Sequence, residues 1–313
     1  MVKILSNAEL DERKLKQLED KGVEFKYVSN KEDLTEDLLK DVDVFNTYGG
    51  NLKEDMVDLL QSVKWINVMS AGVDNIPESL YEDKVITNVS GIHKIPMAEY
   101  TIGLLLAHYK KLYEAYDNQK NKKWDYKLTG GELYGKTAII LGTGEIGKEL
   151  ARLLKAFHVK VIGFNTSGRD VDYFDETESI DDVKNRLSEA DFVVSILPST
   201  KKTRGSVDID FFKHMDEEAV FVNIGRGDLI EDETLKHVLD KKLVAHLILD
   251  VFNDEPLKED AFIYEYDNVT ITPHGSARTE RYTERALDMF LDNLENYLND
   301  EELFNVVSYE KGY

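Results

Sequence analysis

The sequence predicts an α/β protein with two doubly wound parallel-sheet domains, the second inserted into the first. Three observations carry this reading. Short apolar runs alternate with amphipathic segments over the first ninety or so residues, and the same alternation restarts at Lys136. A glycine-rich strand-to-helix turn, Gly142-Thr143-Gly144-Glu145-Ile146-Gly147, opens the second stretch and not the chain itself. A motif of that kind in mid-chain implies another domain in front of it.

In chain order, Lys3–Leu5, Glu24–Val28, Val42–Thr47, Trp65–Met69 and Val85–Val89 read as strands. Ala8–Lys21, Thr35–Lys40 and Lys53–Gln61 read as the helices between them. Such βαβ alternation implies a small parallel sheet covered on both faces. Ile95 to about Asn121 reads as one long helix, with Pro96 in its first turn and an apolar centre, Ile102-Gly-Leu-Leu-Leu-Ala107. Apolar most of the way round, it calls for burial at a domain or subunit boundary. Lys120–Tyr134 is polar, carries Trp124 and Gly130-Gly131, and reads as a surface connection.

From Lys136, six strands are expected: Thr137–Leu141, Lys160–Phe164, Phe192–Leu197, Ala219–Ile224, Leu247–Val251 and Val269–Thr272. Helices fall at Glu145–His158, Ile180–Glu189, Asp208–His214 and Asp232–Asp240. The last helix, Thr279–Leu298, is long enough to return to the first domain. Residues 1–95 with 283–313 are therefore expected to form one domain, and residues 96–282 the other.

Composition sets limits. The chain has 313 residues, 39 Lys plus Arg against 61 Asp plus Glu, and a net charge of −22. A surface this acidic suits neither nucleic acid nor an anionic membrane. The absence of cysteine excludes thiol catalysis, disulfides and thiolate metal sites, and no metal site is expected. Met1-Val-Lys-Ile-Leu starts a strand and lacks the features of a signal peptide, and no apolar run approaches a membrane span. A cytoplasmic enzyme is the expectation.

The glycine turn has the context that dinucleotide binding requires. Thr137–Leu141 is a short buried-type strand, and Ile146, Leu150, Leu153, Leu154 and Phe157 share one face of the following helix. Gly142 permits the turn, Gly144 lets backbone approach a pyrophosphate, and Gly147 lets helix pack on strand. The helix N-terminus then offers N–H groups to phosphate.

Three further segments put ionisable residues just after strands, where the ligand crevice of an open α/β sheet lies. They are Gly225-Arg226-Gly227, Asp250-Val-Phe-Asn-Asp-Glu255-Pro256 and Thr272-Pro-His274. Each alone is an ordinary loop feature. Together they suit hydride transfer to a 2-oxo acid, whose carbonyl oxygen gains charge and needs a proton. Histidine is the usual donor near neutral pH. A neighbouring carboxylate favours the charged imidazole and so raises its pKa, and an arginine can fork onto the substrate carboxylate.

These segments, with Ser70-Ala71-Gly72-Val73-Asp74, Gly91-Ile-His-Lys-Ile-Pro-Met-Ala-Glu-Tyr100 and Leu197-Pro-Ser-Thr-Lys-Lys-Thr-Arg204, resemble the D-isomer-specific 2-hydroxyacid dehydrogenase family over nearly the whole chain. That family includes glyoxylate/hydroxypyruvate reductases and phosphoglycerate dehydrogenases. The resemblance implies a Rossmann nucleotide-binding domain inserted into a flavodoxin-like substrate domain. It implies that Arg226 binds the substrate carboxylate and carbonyl, that His274 is the acid/base, and that Glu255 pairs with it. Ala71, Gly72 and Val73 would contact substrate, with Tyr48 a candidate wall of the pocket. Cofactor contacts would come from Gly142, Thr143, Gly144, Glu145 and Ile146, from Leu197, Pro198, Thr203 and Ile224, and from Asp250, His274 and Ser276. Homodimers packed through the region of the long helix are also implied.

One departure bears on the cofactor. The strand after the glycine helix ends without a carboxylate and runs into Asn165-Thr166-Ser167-Gly168-Arg169. Hydroxyls and an arginine can bond a 2′-phosphate that a carboxylate would repel. NADP is favoured over NAD on this ground, with Asp170 near enough to keep NAD open. Lys94 and Arg278 are candidates for an anionic substrate tail. The alternative function is a nucleotide-sensing, corepressor-like binding protein on the same scaffold.

Overall fold

A computed structural model describes residues 1–29, 34–70, 72–73 and 76–309. Two compact units emerge, one from residues 1–92 with 279–313 and one from residues 93–278.

The first unit holds five parallel strands, β1 (Val2–Ser6), β2 (Val23–Tyr27), β3 (Val44–Thr47), β4 (Trp65–Val68) and β5 (Val85–Asn88), in the order β2-β1-β3-β4-β5. Successive residues point to opposite faces. Phe45, Ile66 and Ile86 enter one apolar layer, while Val44 and Trp65 enter the other. The closing helix Tyr282–Leu298 covers the second layer with Ala286, Leu287, Phe290 and Leu294, one face at helical spacing. Its Phe290 ring lies 5.4 Å from that of Trp65.

A buried polar row crosses the same sheet, one side chain per strand at one register level: Ser6, Asn46, Asn67 and Thr87. Asn46 Nδ2 donates to Ser6 Oγ at 2.9 Å, Asn67 Nδ2 to Asn46 Oδ1 at 2.7 Å, and Thr87 Oγ1 to Asn67 Oδ1 at 2.9 Å. Trp65 Nε1 ends the row on Thr87 Oγ1 at 2.8 Å. Every amide oxygen in the row has a donor, which is the condition for burying such groups without a large penalty.

The second unit holds seven parallel strands: β6 (Thr137–Leu141), β7 (Lys160–Asn165), β8 (Glu176–Ser179), β9 (Phe192–Ser195), β10 (Val220–Asn223), β11 (His246–Leu249) and β12 (Val269–Ile271). Their order is β12-β11-β10-β9-β6-β7-β8. Winding reverses between β6 and β9, and the glycine loop leaves β6 at that switch point.

Three expectations need correction. β8 is a seventh strand that the sequence conceals. Glu176-Thr-Glu-Ser179 is a polar edge strand, half-buried along its length, and a charged edge discourages further pairing. The long helix is two helices, Lys94–Tyr109 and Leu112–Lys120, separated at Lys111, whose φ is +53°. The Tyr109 carbonyl accepts from Gly131 N at 2.6 Å, so the surface connection packs where the helix would have continued. The segments expected as helices at 53–61 and 180–189 are 3₁₀ turns. Among the described residues, no helix is long and apolar enough to cross a membrane.

Candidate active site

The glycine loop is shaped by close backbone contact. Gly142 has φ +104°, and a Cβ on Gly147 would sit 2.1 Å from the Gly142 carbonyl oxygen, so only glycine lets the helix Glu145–Ala156 approach β6 this closely. Gly144 faces open space and is the N-cap of that helix, with no side chain capping the first turn. An unclaimed helix N-terminus beside open space fits a pyrophosphate. Ile146 is half-buried against the core, and Glu145 forms an exposed ion pair with Lys94 at 3.0 Å. Lys94 is thereby occupied, while Arg278 is exposed.

Beyond β7, Asn165 organises the following turn. Its Oδ1 accepts from Ser167 N at 3.1 Å and Arg169 N at 3.2 Å, and its Nδ2 donates to Thr143 Oγ1 at 3.1 Å and to the Arg169 carbonyl at 2.9 Å. The turn is thus tied to the glycine loop. Thr166 and Arg169 are exposed, and the Arg169 guanidinium has no partner among the described residues. Asp170 accepts from Thr177 Oγ1 at 3.0 Å on β8.

Arg226, Glu255 and His274 follow β10, β11 and β12, three neighbouring strands, so parallel geometry brings their loops to one end of the sheet. His274 Nδ1 lies 2.7 Å from Glu255 Oε2, and Glu255 Oε1 accepts from Phe252 N at 2.8 Å. Glu255 is thus aimed at the imidazole by its own loop. Phe252 is in turn packed against the arginine loop: a Cβ on Gly227 would stand 2.0 Å from the Phe252 carbonyl carbon. Asn223, at the end of β10, shapes that loop, accepting from Gly225 N at 3.1 Å and donating to the Arg226 carbonyl at 2.9 Å.

Asp250 is fully buried, and its side chain faces inward. It accepts from Thr272 Oγ1 at 2.6 Å, Gly275 N at 2.9 Å and Ser276 N at 3.0 Å, while its carbonyl accepts from His274 N at 2.8 Å. These four bonds hold the turn in which His274 takes φ +48°. Ser276 is buried by the same arrangement.

Leu197 and Pro198 open the loop after β9, Ile224 is buried at the end of β10, and Thr203 Oγ1 closes the 198–204 loop on the Pro198 carbonyl at 2.6 Å. In the first unit, Tyr48 is 37% exposed at the end of β3, and the Gly72 carbonyl accepts from Ser70 Oγ at 2.9 Å. The Val73 side chain is buried in the core, leaving its backbone for any ligand contact. Ala71 and Asp74 lie outside the described residues.

His93 lies in the segment Gly91–Tyr100 that carries part of the resemblance, but nothing in the sequence singled it out as a site residue. It is buried just before the helix Lys94–Tyr109, and burial, with the Arg226 charge adding to it, pushes its imidazole down to about 4. A neutral histidine therefore stands near the arginine.

Residues 102–276 match the model of the D-isomer specific 2-hydroxyacid dehydrogenase family, NAD binding domain. The chain is 33% identical over 314 residues to D-3-phosphoglycerate dehydrogenase of Methanocaldococcus jannaschii, covering 98% of this chain but 60% of that protein. It is 31% identical over 255 residues to glyoxylate reductase of Thermofilum pendens, covering 79% of this chain and 75% of that one. A crystal structure of a D-isomer specific 2-hydroxyacid dehydrogenase family protein from Aeromonas salmonicida superposes with a TM-score of 0.86 at 27% identity, over 98% of this chain and 99% of the other.

Proposed function

Since the chain belongs to the D-isomer-specific 2-hydroxyacid dehydrogenase family, we propose that it reduces a small 2-oxo acid to the D-2-hydroxy acid with NADPH, the reaction being reversible. The observation that carries this reading is the 2.7 Å contact of His274 Nδ1 with Glu255, on loops adjoining that of Arg226. The unit of residues 93–278 serves as the nucleotide-binding domain, and that of residues 1–92 with 279–313 as the substrate domain.

A nicotinamide dinucleotide supplies the hydride when bound. Gly142, Thr143, Gly144 and the first turn of the helix Glu145–Ala156 hold its pyrophosphate. The turn Asn165–Arg169 holds the adenosine ribose. Arg169 supplies a guanidinium without a partner among the described residues, and Asp170 is bonded to Thr177, which supports the 2′-phosphate and hence NADP.

Arg226 binds the carboxylate of the oxo acid and polarises its carbonyl. Glu255 accepts a hydrogen bond from the Nδ1–H of His274, fixing the ring so that Nε2 donates its proton to the carbonyl oxygen as charge develops there. In the reverse direction Nε2 takes that proton from the hydroxyl. Asp250 holds the His274 turn from beneath. Leu112, Tyr113, Tyr116, Trp124, Tyr126 and Tyr134 are each exposed, a concentration of large apolar side chains in residues 112–134 that supports a homodimer, which light scattering tests directly.

The deciding experiment is a panel of 2-oxo acids, glyoxylate and hydroxypyruvate among them, assayed with NADPH and with NADH by loss of reduced-cofactor absorbance. Turnover with at least one acid, faster with NADPH, is expected. Cofactor binding without turnover on any acid would overturn the enzymatic reading.

A further inference from the structure

Met69, where β4 gives way to the loop that begins at Ser70, is held at three of its atoms. Its N–H donates to the Thr47 carbonyl at 2.8 Å. Its Sδ accepts from Asn46 Nδ2 at 3.2 Å, which ties it to the buried polar row. Its carbonyl oxygen accepts the Tyr282 hydroxyl at 2.7 Å. The first two ties come from the neighbouring strand; the third comes from the first residue of the closing helix, 213 positions along the chain.

We propose that Tyr282 is a positioning residue for the substrate-carboxylate loop, fixing through the Met69 carbonyl the direction in which Ser70, Gly72 and Val73 leave the sheet. The proposal rests on the reading of the chain as a 2-oxo acid reductase, in which that loop receives the carboxylate.

Met69 lies past the end of β4, so its oxygen is not part of the sheet ladder, and a backbone acceptor away from water needs a donor. Tyr282 supplies one from a ring packed against the Trp65 and Phe290 layer, so the donor is anchored in the core and not on a mobile surface. Burial, and secondarily the neighbouring Tyr48, push its hydroxyl up to about 12, so it remains a donor across the working pH range. Ser70 and Gly72 have little room for adjustment. A Cβ on Gly49 would lie 3.3 Å from Ser70 Oγ and 3.7 Å from the Gly72 carbonyl, and Ser70 Oγ is itself bonded to that carbonyl. A rotation of the Met69 peptide therefore passes into the loop. Tyr282 was not legible as a site residue because its partner is a backbone atom more than two hundred positions away.

Tyr282→Phe keeps the ring and deletes only the donor. The KM for the 2-oxo acid should rise about three- to tenfold, the range set by the net worth of one hydrogen bond. The turnover number and the KM for NADPH should stay near wild type, and the melting temperature should fall by only about 1–5 °C, the loss that one hydrogen bond entails. In the ligand-free protein, amide exchange should quicken in a peptide spanning 66–80. Unchanged oxo-acid KM with unchanged exchange would overturn the proposal. So would a rise in both KM values with a larger fall in melting temperature, the mark of general packing. If the wild type reduces no 2-oxo acid, the functional reading fails separately, and the exchange rate still decides whether Tyr282 orders the loop.

Discussion

Replacing Glu255 by Gln tests the acid/base assignment with almost no change in shape. The glutamate accepts two donors, one per oxygen: Phe252 N at 2.8 Å and His274 Nδ1 at 2.7 Å. A glutamine at this position has one acceptor and one NH2, so it serves one of those donors and opposes the other. If the amide oxygen stays on Phe252, the NH2 faces Nδ1, and a doubly protonated imidazole is left without its acceptor. If the amide flips, the ring is served and the Phe252 N–H is stranded. A polar group left unpaired in a buried setting costs about 1–3 kcal/mol. The Glu255 and His274 side chains are 33% and 45% exposed, so water relieves part of this, which favours the lower half of that range. The expected loss in kcat/KM for 2-oxo acid reduction is about 5- to 30-fold, taking 1.36 kcal/mol per factor of ten. NADPH affinity, read by fluorescence titration, should be unchanged. A variant within about twofold of wild type in kcat/KM would refute the reasoning, because the ring would then be held by something other than Glu255.

Three other outcomes are expected. Arg169→Ala should weaken NADPH by about 10- to 100-fold while leaving NADH nearly unaffected, since charge-assisted bonds are worth about 1.5–3 kcal/mol; equal losses in paired titrations would remove Arg169 from the phosphate site. Asp250→Asn replaces an acceptor of three bonds in a fully buried position by a group with one acceptor atom, and should cost about 1–3 kcal/mol in urea denaturation together with activity; a stable, active variant would show that the His274 turn holds itself. His246 is held down at about 4, by burial first and by nearby His108 second. Its folded pKa lies below the unfolded value, so the unfolded chain binds the extra proton between about pH 6.5 and 4, and stability falls over that window as pH drops. His246→Gln should flatten that fall by up to roughly 3 kcal/mol, and an unchanged pH–stability curve would show that this histidine does not set it.

Much of the fold is legible because both sheets are parallel and buried on both faces, which makes their strands continuous apolar runs. Ile139, Ile140 and Leu141, or Phe221 and Val222, admit no other reading. β8 escaped because an edge strand of Glu, Thr, Glu and Ser looks like a loop until β7 pairs with it. The break at Lys111 escaped because helical periodicity runs through it, and its cause, Gly131 on the Tyr109 carbonyl, is a tertiary contact. The site was more legible than its supports. Arg226, Glu255 and His274 stand in glycine- and proline-marked loops, where ionisable residues invite notice. Asn46, Asn67 and Thr87 lie about twenty residues apart inside apolar strands, and only the register aligns them into one row.

That contrast has a physical basis found in each unit separately. Asn46 and Asn67 lie within strands, and through Asn46 Nδ2 the row reaches Met69 and the loop after it. Asn223 ends β10 and fixes the bend into Gly225 and Arg226; Asp250 follows β11 and fixes the bend that carries His274. In each case a buried polar side chain in or just beyond a strand governs the first turn of a functional loop. An apolar residue of similar size would pack as well there and spare the desolvation of a polar group, so core stability alone does not call for Asn or Asp. What the polar group adds is direction: a fully satisfied hydrogen-bond network is worth little net energy but permits few alternative arrangements. The chain thus accepts polarity in its core where a loop must leave the sheet at one angle. The loops to which we assign chemistry follow these residues directly, and within each unit their first turns are fixed by them.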